Sequence, residues 1–317
     1  EEENFSIDAH VHHTALPAPG DDRELAEVVA EILARPLNRN QPLWESWYVE
    51  GLEGGRVAFI AKTHHAMVDG VSGAGLADVL CDISPNPAPR AESLPEPITG
   101  QSSIELFGRG VITTVTKPPK VLQFLKNTVS GVVTTIGHMR KDNPPPRPMS
   151  APRTVFNGVI GPRRGFAYGS LPMADVKLVK NSLGVKVNDV ILSTVAGALR
   201  SYLLKRDELP ETPVLATVPM STRSADDVEL GNMVHTMIAS LATDIEDPVE
   251  RLHAIHRGMN SAKELAEDMT KNAGVGLTDI ASPLLMNLVF RGYQAAKLEQ
   301  RLPLATNLIV SNVPGPP

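Results

Sequence analysis

The sequence holds a single cysteine, Cys81, among 317 residues, so no disulfide can form within the chain. This agrees with a reducing cytoplasm. Cys81 follows the run Gly75-Leu76-Ala77-Asp78-Val79-Leu80 and reads as a buried, inert thiol. No stretch reaches the ~18 uninterrupted apolar residues of a membrane-spanning helix, and no signal peptide is visible. Positive charge is not in excess. The formal net charge is -6 and the pI is about 5.9, which argues against a nucleic-acid binder but leaves room for a local basic patch facing a phosphorylated cosubstrate. There is no His-Glu-x-x-His, no cysteine cluster and no short-period repeat. The chain starts Glu1-Glu2-Glu3-Asn4 without an initiator methionine and stops at Pro317 in what reads as a loop, as a part of a longer protein would.

Hydrophobic residues make up 42%, enough for a sizeable core in one large or two smaller domains. Leu25, Val28, Val29, Ile32 and Leu33 recur at helical spacing within residues 23–34, with Asp21 or Asp22 as N-cap. Strands are expected over 47–50 and 56–63, then a helix over 69–80. Two proline-rich stretches, 84–90 and 143–148, flank a segment rich in Val, Thr, Leu and Gly. That segment reads as linker helices broken at Pro118-Pro119. The second half alternates helix and strand: a strand over 166–171, a helix over 172–183 with Pro172 at its first position and Gly184 closing it, and a helix over 187–205 capped by Asn188 or Asp189. Strands follow over 214–219 and 234–244, then a helix over 248–269 and a last strand over 306–311. The pattern predicts an α/β fold of two similar halves joined by a linker, divided as 1–100, a helical linker 101–150, and 151–317.

The chemistry concentrates in His64-His65-Ala66-Met67-Val68-Asp69-Gly70, between an apolar strand and a helix. Acyl transfer to a hydroxyl needs a base within hydrogen-bond reach of it, and imidazole suits because its ordinary pKa lies near neutrality. Gly70 permits a tight turn. Metal binding is the rival reading of two histidines and an aspartate. Adjacent histidines on an extended segment point to opposite sides, which makes a shared metal awkward. His10, His12 and His13 read as structural or surface residues. Arg163-Arg164 is a candidate phosphate contact but has the character of a solvated turn.

This string resembles the active-site signature of the chloramphenicol-acetyltransferase-like superfamily. Four further blocks resemble its wax ester synthase/diacylglycerol acyltransferase branch: Pro42-Leu43-Trp44-Glu45, Val187-Asn188-Asp189-Val190 running into Gly197-Ala198-Leu199-Arg200, Pro219-Met220-Ser221-Thr222-Arg223 followed by Gly231-Asn232, and Ser311-Asn312-Val313-Pro314-Gly315-Pro316. They run in family order across nearly the whole chain. The resemblance implies two chloramphenicol-acetyltransferase-like domains, each a mixed sheet with flanking helices. It implies transfer of a fatty acyl group from acyl-CoA, as cosubstrate and with no permanently bound cofactor or metal, to diacylglycerol or a long-chain alcohol. It also implies a cytoplasmic protein associated peripherally with membrane or lipid inclusions.

By resemblance His65 is the general base, with His64 orienting its loop and Asn188 donating to the oxyanion or capping its helix. Asp69 and Gly70 are structural, with Asp69 paired to Arg223, and Asp189 supports a helix terminus. Ser221 and Thr222 line the substrate channel, and Pro42, Leu43 and Trp44 either shape the acyl pocket or pack in the core. The rivals are a condensation-type enzyme of the same superfamily, against which the subfamily blocks speak, and a non-catalytic lipid-binding or scaffold protein with this fold.

Overall fold

The computed structural model describes residues 5–67, 118–221, 234–271 and 283–313. The Cys81 segment and the helix expected over 69–80 lie outside them. In the first half, β1 (Val11–Ala15) is followed by α1 (Asp22–Ala34), β2 (Trp44–Glu50) and β3 (Ala58–Thr63). The sheet is mixed, in the order β1-β2-β3: β1 runs parallel to β2, and β3 antiparallel to it. The parallel pair needs a crossover, which α1 supplies. Asp21 caps α1 and Glu24 returns the bond to the Asp21 N–H, a complete capping box. Leu25, Val29 and Ile32 form the buried stripe of α1, and Leu25 and Val29 pack with Leu16, Val49 and Leu52. Gly20, at φ +71°, lies where an added Cβ would be 1.9 Å from the Gly51 carbonyl oxygen, so only glycine fits this crossing of two loops.

The helix α2 (Pro118–His138), in the segment expected to be a linker, starts at the proline pair rather than breaking there. Proline is tolerated in a first turn because its missing N–H is one that the helix leaves unpaired. Then come α3 (Met173–Leu183), α4 (Val187–Lys205), β4 (Leu215–Ser221), β5 (Val234–Ser240), α5 (Pro248–Lys271), α6 (Pro283–Ala295), the short α7 (Leu298–Arg301) and β6 (Leu308–Ile309). This second sheet is also mixed, in the order β5-β4-β6, with β6 parallel to β4. Leu192, Ala196 and Leu203 of α4 and Ile255, Met259 and Ala262 of α5 pack against Val214, Ala216, Val218, Met237 and Ala239. The architecture is the α/β pair of mixed sheets with flanking helices that the resemblance implied.

Several elements differ from expectation. Residues 166–171 form no strand; their sequence favours extension, but they join no ladder and their side chains are exposed. Instead the Tyr168 hydroxyl donates to Asp22 of the first half at 2.7 Å. That bond, with a weaker contribution from Arg56, holds the Asp22 carboxyl below the usual range. Pro172 is the N-cap of α3 rather than its first residue, while Gly184 closes that helix in the left-handed region as expected. Neither Asn188 nor Asp189 is the N-cap of α4; Lys186 occupies that position, and Asp189, three residues on, accepts from its main-chain N–H. The strand expected over 234–244 stops at Ser240, where Ala242 takes a positive φ.

The last strand shrinks to two residues for a physical reason. Leu215 and Thr217 use their β6-side groups on Asn307 and Val310, and the next residue facing that way is Pro219, which has no N–H to offer. Asn307 anchors this edge. Its Oδ1 accepts from Leu215 N at 2.9 Å, and its Nδ2 donates to Asn157 Oδ1 at 2.8 Å and to the Pro152 carbonyl. Replacing Asn307 with Ala leaves the buried Leu215 N–H without its acceptor. It is expected to lower the unfolding free energy by about 2–3 kcal/mol, measurable by urea titration.

Candidate active site

The β2–β3 ladder does not stop at Thr63. The His64 N–H donates to the Leu43 carbonyl at 2.9 Å, one step beyond the Trp44–Thr63 pair. The Pro-Leu-Trp block and the His-His block are therefore held side by side. His64 then starts a turn. Its carbonyl accepts from Met67 N at 2.9 Å, and its ring Nδ1 accepts from Ala66 N at 3.1 Å. An imidazole nitrogen that accepts cannot carry the proton, so the tautomer inferred for His64 has it on Nε2. His64 thus braces the loop that bears His65, while His65 itself is exposed in the turn. Trp44 stacks on His10, with ring centroids 4.7 Å apart, and buried His10 donates from Nδ1 to the Trp44 carbonyl at 2.7 Å. His12 and His13 lie against Trp47 and Tyr48. Asp69 and Gly70, which complete the motif, lie outside the described residues.

Lys62 fixes the same strand to α1. Its ammonium donates to the Ile32 carbonyl at 2.8 Å and to that of Arg35, so it satisfies the carbonyl end of the helix two residues before the histidines. It also lies 3.7 Å from Glu45.

The second cluster surrounds the start of α4. Asp189 is 1% exposed. Its Oδ2 accepts from the Lys186 N–H at 2.9 Å and from His256 Nδ1 at 2.6 Å. The Asn260 amide donates to His256 Nε2 at 3.2 Å, and Asn260 Oδ1 accepts from Lys186 Nζ at 2.8 Å. The bonds close a ring that leaves Lys186 by its side chain and returns to it by its main chain. The ring pins the first turn of α4 to the middle of α5. Asn188, beside it, lines a cavity of about 290 Å³ with Lys186, Val218, Pro219, Met237 and Lys263. Asn188 Oδ1 accepts from Asn312 Nδ2 at 3.4 Å, which joins the Asn-Asp block to the late Asn-Val-Pro block. Ser221 ends β4; Thr222 and Arg223 lie outside the described residues, as does the expected Asp69–Arg223 pair. Arg164 turns back onto the Gly161 and Arg163 carbonyls, the geometry of a local turn. Among the described residues no group of three His, Cys, Asp or Glu is placed to hold a metal ion.

Lys62, His256, Asn260 and Lys186 were not singled out in the sequence. His256 and Asn260 share a helical face at i and i+4, which could have marked a polar seam on α5. Nothing in the sequence said that Asp189 faces it. Asp189→Ala strands the His256 and Lys186 donors around a buried gap and is expected to cost about 3–5 kcal/mol of stability. Asp189→Asn keeps an acceptor and is expected to cost less. Parallel chemical denaturation of the two variants checks the order.

Residues 1–191 match the wax ester synthase/diacylglycerol acyltransferase catalytic domain, and residues 230–317 match the C-terminal domain of the same proteins. A Mycobacterium tuberculosis protein, named as a proposed diacylglycerol O-acyltransferase, is 37% identical over 328 residues; the match covers 100% of this chain and 62% of the relative. A similarly named Mycobacterium bovis protein is 33% identical over 325 residues, covering 99% of this chain and 68% of the relative. The solved wax ester synthase/diacylglycerol acyltransferase of Marinobacter aquaeolei VT8 superposes with a TM-score of 0.63 at 29% identity, over 100% of this chain and 64% of that one. The chain thus spans less than two thirds of that enzyme and of the first of these relatives, and it belongs to the wax ester synthase/diacylglycerol acyltransferase family.

Proposed function

We propose that this chain carries the acyl-transfer centre of an O-acyltransferase. The enzyme would move a fatty acyl group from acyl-CoA to diacylglycerol, a long-chain alcohol, or both, giving triacylglycerol or wax ester. The observation that carries the reading is the His64–Leu43 bond, which extends the ladder so that two family blocks meet where the histidines leave the sheet.

In this reading His65 takes the proton from the acceptor hydroxyl. The alkoxide attacks the thioester carbonyl, the C–S bond of the tetrahedral intermediate breaks, and the leaving thiolate recovers the proton from His65. The developing oxyanion needs a donor, and the Asn188 side-chain amide is assigned that role. Asp69 is assigned to structure, paired with Arg223. Ser221 and Thr222 line the channel, and acyl-CoA is a cosubstrate, not a resident cofactor.

A peripheral position on a lipid surface fits the linker helix. Val129, Val132 and Val133 of α2 are 64%, 54% and 63% exposed, and α2 contains no acidic residue. Among the described residues no single helix is long and apolar enough to cross a membrane.

The test is release of free coenzyme A from palmitoyl-CoA by the full-length protein, with hexadecanol and dioleoylglycerol offered separately and the lipid products identified. Acceptor-dependent release is expected. Its absence with both acceptors, from folded protein, would overturn the reading. His65→Ala should keep its fold and lose on the order of 10²–10⁴-fold in turnover. Asn188→Ala should lose about 10²-fold if it serves the oxyanion; a loss confined to thermal stability would return it to a structural role.

A further inference from the structure

A second and larger cavity lies away from both clusters. It has a volume of about 770 Å³, within the usual range for a small-molecule site. One wall is α2, through Val132 and Ile136. The other is the proline-rich return, through Met139, Pro145 and Arg147, with Met269 of α5 closing the side. Neither His65 nor Asn188 borders it. The Thr135 hydroxyl is already donated to the Gly131 carbonyl at 2.8 Å, so this helix face offers the cavity few unspent polar groups.

Charge separates this region from the rest of the chain. Residues 118–148 contain five basic side chains, Lys120, Lys126, Arg140, Lys141 and Arg147, against one acidic, Asp142, a formal +4 in a chain of net -6. Lys141 spends its charge on Glu264 at 2.9 Å. Arg147 both lines the cavity and is exposed. A mainly apolar cavity with an arginine among its lining residues suits a long alkyl chain with an anionic head, because a planar guanidinium matches a carboxylate with two parallel bonds.

We propose that the cavity between α2 and the 144–148 return binds a long-chain fatty acid, its alkyl chain along Val132, Ile136 and Met269 and its carboxylate on Arg147. The site does not depend on the acyl-transfer reading, because it shares no residue with the proposed catalytic centre. Each further methylene adds buried apolar surface, so affinity rises with chain length. Gly131 lies on the cavity wall. An added Cβ there meets only Met269 Cε, at 3.7 Å, so a larger side chain at 131 projects into the slot.

The test is fluorescence titration of the full-length protein with cis-parinaric acid, displaced by palmitate. Saturable binding is expected in the wild type, with palmitate displacing the probe far better than methyl palmitate. Arg147→Gln, an exposed change, should weaken binding about tenfold, and Arg147→Lys should recover part of it. Gly131→Leu should abolish binding while leaving the circular-dichroism melt near that of the wild type. Either of two results overturns the proposal: no saturable binding, or binding unchanged in both Arg147→Gln and Gly131→Leu, which would put the ligand in the catalytic channel. Displacement by methyl palmitate as good as by palmitate would remove Arg147 from the site.

Discussion

The buried carboxylate of Asp189 is the constraint on which the second half depends. A carboxylate removed from water is tolerated only when donors surround it, and here they come from two helices: the Lys186 main chain at the start of α4 and the His256 ring on α5. Satisfying that one group fixes the register of α4 against α5. It therefore fixes where Asn188 stands relative to β4 and to Asn312. The apolar contacts of Leu192, Ala196, Ile255 and Met259 supply the larger share of the packing energy, but they are non-directional. The ring of Lys186, Asn260, His256 and Asp189 is directional, and it selects one relative position of the two helices.

The first half solves a different problem, that of holding a short loop still. The ladder of β2 and β3 continues through His64, and the histidine ring then takes the Ala66 N–H. Lys62 ties the same strand to the carbonyl end of α1, which the Asp21–Glu24 capping box secures at its other end. The proposed base thus rides on a turn supported by main-chain bonds on one side and a capped helix on the other. Lys62 and His64 set the position of that turn through these bonds, as a base that must sit within ~3 Å of a hydroxyl requires.

A cavity of about 770 Å³ lies beside α2. Val129, Val132 and Val133 of α2 are exposed, and its basic residues outnumber its acidic ones in a chain of opposite net sign. Among the described residues α2 packs on α5.

Much of this was legible in the residues. The period of Leu25, Val29 and Ile32 determined α1, Gly184 determined the end of α3, and the five ordered blocks determined the family and with it the paired mixed sheets. The sequence misled where local preference had no partner to act on. Residues 166–171 are extended formers without a ladder, and residues 306–311 lost most of their strand to the Asn307 side chain and to Pro219. The placement of Asn188 and Asp189 in the first turn of α4 instead of at its cap, the closure of the ring through His256, and the meeting of Leu43 with His64 were decided only in three dimensions. The reason is physical: periodicity and capping act within a few residues along the chain, whereas Asp189 and His256 are 67 residues apart, and only the packing of one helix on another makes a donor of one and an acceptor of the other.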